Sequence, residues 1–329
     1  MRERGRIPYK GLMPYQQEDA PFFFGRHAEQ DVISANLLAS RLTVLYGASG
    51  VGKSSVLCAG VAYHLNKLAE RNLATHRSLQ HAVVIYSSWR DDPVDGLLNQ
   101  IHQSTFTSPC NTVTLSAPSA GNLANSLVRC TESTAGELLI VLDQFEEYFL
   151  YHPIEKGEGS FGHEFARAVN RHDLRVNFLL SLREDALGEL DRFKGPIPFV
   201  FDNCLRLQHL DPEAARDAIE KPIAYYNTLV DSTKCHIEVE PELVDELLRQ
   251  VEVGKVNVRG LEQGVVKRRG RTRSFLETDR DALSTVGHDS PLGRGNAVEL
   301  AHATAFYIRA PRWRATDRAH SSRQSYGHA

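Results

Sequence analysis

Short runs of apolar residues alternate along the chain with segments in which apolar residues recur every three or four positions. Five runs have the composition of buried strands, at residues 41–47, 82–88, 138–143, 176–183 and 204–210. Most are apolar throughout, as expected of strands buried on both faces of a parallel sheet. The intervening segments have helical spacing. The pattern therefore predicts an α/β fold, a three-layer sandwich built on five parallel strands.

The helical segments have recognisable starting signals. SSVLCAGVAYHLNKLAERN follows the first strand, and DPVDGLLNQIHQ follows the second, with Asp91 or Asp92 as N-cap and Pro93 in the first turn. Residues 107–122 are predicted to form a polar loop. After Asp211 the strands give way to two helical segments, DPEAARDAIEKPI and EPELVDELLRQVEV. We predict a core domain over residues 1–222 and the beginning of a helical, winged-helix-like domain over residues 223–266.

Composition and charge argue against several classes of protein. The five cysteines are scattered without a C-x-x-C pair, which argues against a zinc site or a disulfide framework and fits a cytoplasmic protein. The amino terminus lacks the apolar core of a signal peptide, and no apolar run reaches the length of a membrane helix. The net charge is −3, and the part of the chain before residue 267 is acidic. We expect neither a membrane nor a nucleic acid as partner.

The stretch LYGASGVGKSSVL matches the phosphate-loop pattern G-x-x-x-x-G-K-[ST] at every fixed position. Glycines let backbone N–H groups close around phosphate oxygens, and the helix that starts there adds the positive end of its dipole. Lys53 would reach the β and γ phosphates, and the Ser54 hydroxyl would coordinate Mg²⁺. The alternative is a glycine-rich turn that matches by chance. The residues predicted to bind nucleotide here are Gly47, Ser49, Gly50, Val51, Gly52, Lys53, Ser54 and Ser55.

A second acidic motif follows the third predicted strand, in LLIVLDQFEEYF. Asp143 ends this strand and is predicted to hold Mg²⁺ together with Ser54; the alternative is an Asp that caps the next helix. A further strand between the two motifs is typical of the P-loop branch that often places a catalytic Glu directly after the Asp. Gln144 occupies that position and cannot act as a base. Glu146 and Glu147 are the catalytic candidates, with a solvated acidic turn as the alternative.

Two arginines complete the candidate site. Arg183 ends the fourth predicted strand, where a side chain can reach the γ-phosphate, although it could instead pair with neighbouring acidic residues. Gly25 and Arg26 follow three phenylalanines and precede a helix. That turn is a candidate for contact with the adenine side of the nucleotide, and the phenylalanines could equally be core residues.

These motifs together resemble the novel STAND NTPases, signal-transduction ATPases built from many domains. The resemblance rests on PYKGLMPYQQEDAPFFFGR, LYGASGVGKSSVLCAGV, SSWRDDP, LIVLDQFEEYF, LLSLREDALGELD and RLQHLDPEAARDAIEKPI, in that order. It implies ATP or ADP with Mg²⁺ as cofactors, an adenine-side role for Gly25 and Arg26, and Gln144 as a normal feature. His27 stands where related ATPases often carry Glu. We expect the effector and sensor regions usual in such proteins to be absent from this chain.

Three functions fit these residues. The first is a switch that holds ATP, hydrolyses it slowly and can self-associate in its ATP state. The second is an ATPase or kinase with fast turnover, although the Arg-rich lid of a small-molecule kinase is not evident. The third is a nucleotide-binding scaffold in which Glu146 and Glu147 are structural. Gln144 favours the first, because a state that signals must last.

The segment from Lys267 to the end differs from the rest of the chain. It holds 12 Lys and Arg against 6 Asp and Glu, has no lysine after Lys267, and lacks helical apolar spacing. Permitted codons for residues 274–329, read one base later, encode a peptide that has this spacing and resembles the family. We predict a frameshift near residues 266–274, which makes residues 267–329 a disordered tail and the chain a truncated, possibly non-functional copy. The alternative is a genuine basic tail that binds an acidic surface.

Overall fold

The centre of the molecule is a sheet of five parallel strands. The computed structural model describes residues 7–76, 81–106, 123–134, 136–155, 157–229 and 237–252. The strands are β1 (Leu42–Gly47), β2 (His81–Tyr86), β3 (Glu137–Leu142), β4 (Val176–Arg183) and β5 (Cys204–Arg206). Their order in the sheet is β2-β3-β4-β1-β5. The predicted five-stranded parallel sheet is confirmed, and β4 is the strand inserted between β1 and β3.

Helices cover both faces of this sheet within the described residues. They are a 3₁₀ helix (Gln17–Phe22), α1 (His27–Ala39), α2 (Lys53–Ser55), a π-helical stretch (Val56–Ala62) that continues α2 into α3 (Tyr63–His76), α4 (Pro93–Phe106), α5 (Leu123–Thr134), α6 (Glu146–Tyr151), α7 (Phe161–Asn170), a second 3₁₀ helix (Glu184–Phe193), α8 (Pro212–Leu229) and α9 (Pro241–Glu252). Asp92 caps α4, since its Oδ1 accepts from the N–H groups of Val94 and Asp95.

The two faces of the sheet pack against different cores. Alternate residues of β3 and β4, such as Ile140 and Phe178, join the larger, aromatic-rich core. Their neighbours Leu139 and Leu179 join a second core with the helix that follows the phosphate loop. This alternation, with both faces buried, is what a parallel sheet between two helical layers requires.

Register brings the predicted site residues to one edge of the sheet. Gly47 at the end of β1 pairs with Arg183 at the end of β4, and Leu142 of β3 pairs with Leu180 of β4. Because all strands are parallel, their carboxyl ends meet at the same edge, where ligands bind in open α/β sheets.

The helical region after the sheet packs on α8. Ile219 of α8 and Val244 of α9 belong to one small core, and Tyr9 contacts Ile223 in another. α8 is continuous across residues 222 and 223, so the division at that position remains a prediction. The predicted loop at residues 107–122 and the predicted frameshifted tail at residues 267–329 lie outside the described residues.

Candidate nucleotide-binding site

The phosphate loop connects β1 to α2 and depends on its glycines. Gly50 and Gly52 have φ values of +67° and +92°, in the left-handed region that favours glycine. A Cβ on Gly47 would lie 2.5 Å from the carbonyl oxygen of Leu207. Gly52 is the N-cap of α2. The motif therefore adopts the strand–loop–helix context that a phosphate-binding loop requires.

Lys53 is held inside this loop. Its side chain is buried, and Nζ donates hydrogen bonds to the carbonyl oxygens of Gly47 and Ala48, both at 3.0 Å. Burial lowers the pKa of Lys53, while the nearby carboxylates of Glu146 and Asp143 oppose this shift. An ammonium group bonded only to neutral carbonyls keeps its charge available to an anion, so Lys53 is placed for phosphate binding.

A cavity of about 250 Å³ lies above the loop and collects most of the predicted site residues. The phosphate loop contributes one side, and the ends of β3 and β4 contribute another. The lining residues are Gly11, Leu12, Met13, Pro14, Ser49, Gly50, Gly52, Lys53, Ser54, Ser55, Asp143, Gln144, Glu146 and Arg183. Among the described residues, Glu147 does not line this cavity although its neighbour Glu146 does.

Asp143 is fixed by its backbone and leaves a carboxylate oxygen unpaired. Its N–H donates to the carbonyl of Tyr86 at 2.8 Å, and its carbonyl accepts from the indole of Trp89 at 2.8 Å. Trp89 is fully buried against the rings of Tyr86 and Phe145, so this anchor is rigid. Oδ1 of Asp143 is buried and has no hydrogen-bond partner. A buried carboxylate oxygen without a partner is costly and points to a ligand.

Ser54 and Asp143 fit a magnesium ion better than a metal held by protein alone. Both residues line the phosphate cavity. No cluster of three His, Cys, Asp or Glu side chains that could hold a metal occurs among the described residues. Mg²⁺ is usually bound through one or two protein oxygens plus substrate phosphates. When bound there, the ion would neutralise phosphate charge, and Ser54 and Asp143 would hold it.

The segment after Asp143 bends sharply into α6. Gln144 is exposed and has a φ of +54°, which is uncommon for a non-glycine residue. Glu146 lies at the first position of α6, and its Oε2 accepts from the backbone N–H of Arg183 at 3.2 Å. Burial raises the pKa of Glu146, and hydrogen bonds and the charge of Lys53 oppose that rise.

Arg183 is placed for both roles that the sequence allows, contact with a phosphate and pairing with a neighbouring acidic residue. It lines the phosphate cavity, and its guanidinium also pairs with Asp185, with Nε 3.0 Å from Oδ1. This hydrogen bond raises the pKa of Arg183. Nearly half of the side chain is exposed, so solvent screens the pair and leaves it weak. A phosphate could therefore compete with Asp185 for the guanidinium.

Gly25 and Arg26 lie beside the phosphate loop and α8. Gly25 has a φ of +82°, and a Cβ there would lie 2.3 Å from the carbonyl oxygen of Ala214 in α8. Arg26 is buried; one guanidinium nitrogen contacts Glu29 and the other donates to the carbonyl of Val51 at 3.1 Å. The guanidinium of Arg26 is thus directed at the phosphate loop. Arg26 and Val51 also line a narrow apolar cavity of about 20 Å³, which shares Gly52 and Ser55 with the phosphate cavity.

The amino-terminal strap, residues 9–15, lies at the candidate site without a role that the sequence predicts. Residues 11–14 of the strap line the phosphate cavity. The N–H of Tyr15 donates to Oγ of Ser55 at 3.2 Å, and the hydroxyl of Tyr9 donates to the carbonyl of Ile219 in α8. The strap therefore joins the phosphate loop to the helical region. The sequence feature that could have indicated the strap is the segment PYKGLMPY, which was used only for the family resemblance.

Comparison with known proteins identifies the family. Residues 8–260, more than three quarters of the chain, match the family described as novel STAND NTPase 1. The chain belongs to the novel STAND NTPases. As a member of this family it is a P-loop NTPase, in agreement with its nucleotide-binding loop. No curated protein matches the chain.

Several solved structures are similar to the chain at low identity. The ORC2 protein of Aeropyrum pernix, in ADPNP–ADP complexes, is 16% identical, with a TM-score of 0.47 over 68% of this chain and 56% of its own. A Walker-type ATPase of Pyrococcus abyssi is 16% identical, with a TM-score of 0.48 over 75% and 67%. The ORC1 protein of A. pernix in complex with DNA is 17% identical, with a TM-score of 0.47 over 74% and 58%. The chain thus spans little more than half of either ORC protein, and the fold assignment rests on the sheet order and the family match.

The described helices are too short or too polar to span a membrane. The expectation of no nucleic-acid partner stays a prediction.

Proposed function

We propose that this chain is an ATP-dependent switch that binds Mg-ATP, hydrolyses it slowly, and packs its helical region differently in the ATP and ADP states. One observation carries the proposal. Lys53, Asp143 and Arg183 converge on the phosphate cavity, while the position after Asp143 holds an exposed glutamine. The site is therefore equipped to hold a triphosphate, yet it has no carboxylate directly after Asp143 to take a proton from water.

Glu146 is the candidate for positioning the attacking water. It lines the cavity, whereas Glu147 does not. Its carboxylate already accepts a hydrogen bond from the backbone of Arg183, and burial raises its pKa. The hydrogen bond from Arg183 holds the carboxylate in place to orient water and, because it stabilises the charged form, weakens Glu146 as a base, which supports slow turnover.

Four contacts, in two separate connections, support a link from the phosphates to α8. Gly25 packs against Ala214, and Arg26 next to it bonds the phosphate loop at Val51. Independently, the strap spans from Ser55 to Ile219. A ligand shifts an equilibrium only by its differential affinity for the two states, and a swing from about 1:99 to 99:1 requires roughly 5.5 kcal/mol. Contacts of the γ-phosphate with Lys53 and Arg183 would supply that difference.

Single-turnover kinetics test the proposal. Purified protein mixed with substoichiometric ATP and Mg²⁺ should convert it to ADP over minutes. Replacement of Glu146 by Gln should trap bound ATP, while Glu147→Gln, the matched control, should leave the rate unchanged. Turnover many times per second would contradict the switch and favour the alternative, a working ATPase or kinase.

Hydrogen exchange tests the conformational part. Backbone amides of α8 and α9 should exchange at different rates with Mg-ADP and with a non-hydrolysable ATP analogue, because the proposal places the switch in their packing. Identical protection of both helices in the two states, with nucleotide binding verified in the same samples, would argue for a static nucleotide-binding scaffold.

We also propose three further properties of the protein that the sequence predicts. These are a cytoplasmic location, self-association in the ATP state, and a truncated copy produced by a frameshift near residues 266–274. The family match, which extends to residue 260, supports the last of these. Sequencing of the encoding DNA tests it, since a one-base shift after residue 266 should restore an uninterrupted family-like reading frame.

A further inference from the structure

Two buried oxygens with no hydrogen-bond partner lie beneath the phosphate loop. One is Oδ1 of Asp143 and the other is Oγ of Ser181, which is fully buried two residues before the carboxyl end of β4. Ser34 and Glu155 hold the remaining two such oxygens in the described part of the chain. Buried polar atoms nearly always have a hydrogen-bond partner. Two buried oxygens without one at the nucleotide site therefore require an explanation.

Strand register places Ser181 beside Asp143. Leu142, the last residue of β3, pairs with Leu180, so Asp143 directly after β3 lies level with Ser181; the N–H of Phe145 donates to the carbonyl of Ser181 at 2.8 Å. Neighbouring strands are about 4.8 Å apart. The two Cα atoms are therefore close enough for their side chains to share one small molecule.

Both side chains are on the same face of the sheet. Ser181 follows Leu179 by two positions on β4, and Leu179 belongs to the core formed with the helix after the phosphate loop. Since side chains alternate along a strand, Ser181 points to that helix as well. Asp143 also lies on this side, because it follows Val141 of the same core by two positions and lines one cavity with Ser54 and Cys58.

We propose that Ser181 is a positioning residue for Asp143: its hydroxyl donates a hydrogen bond to a buried water that in turn donates to Oδ1, and this fixes the carboxylate for Mg²⁺. The proposal rests on the proposed binding of Mg-ATP. A hydroxyl fits this role because it donates one hydrogen, while a carboxylate only accepts. The distance between strands favours a bridging water over direct contact, since the two oxygens make no direct hydrogen bond.

The test separates metal binding from nucleotide binding. Affinity for a fluorescent ATP analogue is measured with Mg²⁺ and with EDTA, for wild type, Ser181→Ala and Ser181→Thr. Loss of a group that orients a metal-binding carboxylate typically weakens metal affinity 10–100-fold. Ser181→Ala should therefore raise the Mg²⁺ concentration for half-maximal tightening about 10-fold, with affinity in EDTA unchanged, and Ser181→Thr should restore it.

Two controls keep the outcome interpretable. Ser34 has the same kind of buried unpaired hydroxyl on α1, so Ser34→Ala should leave the Mg²⁺ dependence unchanged. In an Asp143→Asn background the effect of Ser181→Ala should disappear, because the two residues act together. Thermal melting verifies that each variant is folded.

The possible failures are distinguishable. If Mg²⁺ does not tighten nucleotide binding to the wild type, the proposed function is wrong. If it does, and Ser181→Ala responds to Mg²⁺ as the wild type does, Ser181 has no positioning role. An equal loss of affinity with Mg²⁺ and with EDTA would mean that the hydroxyl supports only the packing of the sheet.

Discussion

The phosphate side of the candidate site and its proposed adenine side, the narrow cavity beside Arg26, are built in different ways. On the phosphate side, charged groups such as Lys53 and Asp143 surround a cavity of about 250 Å³. On the adenine side, apolar rings such as Phe22 and Phe24 leave a cavity of only about 20 Å³. The first has room for a chain of phosphates, whereas the second has little more room than a water molecule needs.

This difference suggests that phosphate binding and the conformational response to it belong to different parts of the site. The phosphate side is organised around one contiguous loop, and the strap and the ends of β3 and β4 complete its lining. The adenine side is assembled from the strap, the turn at Gly25 and α8. Because the cavity is smaller than a base, we propose that these elements move when a base binds, which makes that side the better place for a conformational response.

Loss of the Lys53 ammonium group should give the largest effect. Mg-ATP at about 100 times its dissociation constant should stabilise the wild type by roughly 2.7 kcal/mol, seen as a higher thermal midpoint. Lys53→Ala should abolish this gain, because Lys53 is the buried cation at the phosphates. Lys67→Ala removes an exposed lysine on α3 and should retain the full gain. A wild type that melts at the same temperature with and without millimolar Mg-ATP would refute the phosphate site.

Disruption of the contact between Gly25 and α8 should give the second largest effect. Gly25→Ala adds a Cβ that overlaps the Ala214 carbonyl, and should destabilise the protein by about 2–3 kcal/mol in urea unfolding. Gly11→Ala is the matched control, since Gly11 also has a positive φ but has open space around it. It should cost only the backbone strain, about 1 kcal/mol. Equal losses in the two variants would mean that α8 does not pack tightly on this turn.

Arg26 tests whether the two sides are coupled. Arg26→Met removes the hydrogen bond to the Val51 carbonyl, and a charged hydrogen bond contributes about 1.5–3 kcal/mol. Nucleotide affinity, measured by titration calorimetry, should fall about 10-fold. Glu29→Gln removes the ion pair of Arg26 and leaves the bond to Val51, so it should change affinity little. A larger loss of nucleotide affinity in Glu29→Gln than in Arg26→Met would mean that the ion pair, and not the hydrogen bond to Val51, couples the two sides.

The smallest effect is a pH dependence at Glu146. Burial raises its pKa in the folded state, so the folded protein favours the protonated form. That stabilisation is complete below the unfolded pKa and is lost as pH rises through the raised value. Glu146→Gln should therefore raise the thermal midpoint by a few degrees at about pH 7.5, and the gain should vanish near pH 4. Glu147→Gln is the control, and a gain independent of pH would exclude the burial of charge as its cause.

The sequence predicted the sheet and the positions of the phosphate loop, Asp143 and Arg183, because these depend on local patterns. Val176–Arg183 was predicted with its observed bounds. The fifth strand was predicted to reach residue 210 but ends at Arg206, since β5 is an edge strand that pairs only with β1 over three residues. Parallel strands also made the convergence of Asp143 and Arg183 predictable, because their carboxyl ends meet at one edge.

The adenine side was less predictable, because its contacts join distant parts of the chain. The sequence indicated Gly25 and Arg26, but no local pattern could indicate that Arg26 would bond the carbonyl of Val51. The link from Tyr9 to Ile219 spans 210 positions. The π-helical stretch after Ser55 was also missed, since its composition is that of an ordinary helix.

The strap has a mechanical consequence. It is held near one end by Tyr9 on α8 and at the other by Tyr15 on Ser55, and its turn exposes Leu12 and Met13 between these points. A pull on the chain upstream of residue 8 would load the Tyr9 contact first and the Ser55 contact next, before any strand of the sheet. Tension applied to this end would thus reach the phosphate loop directly, and single-molecule pulling should show release of the strap as an early step that bound nucleotide delays.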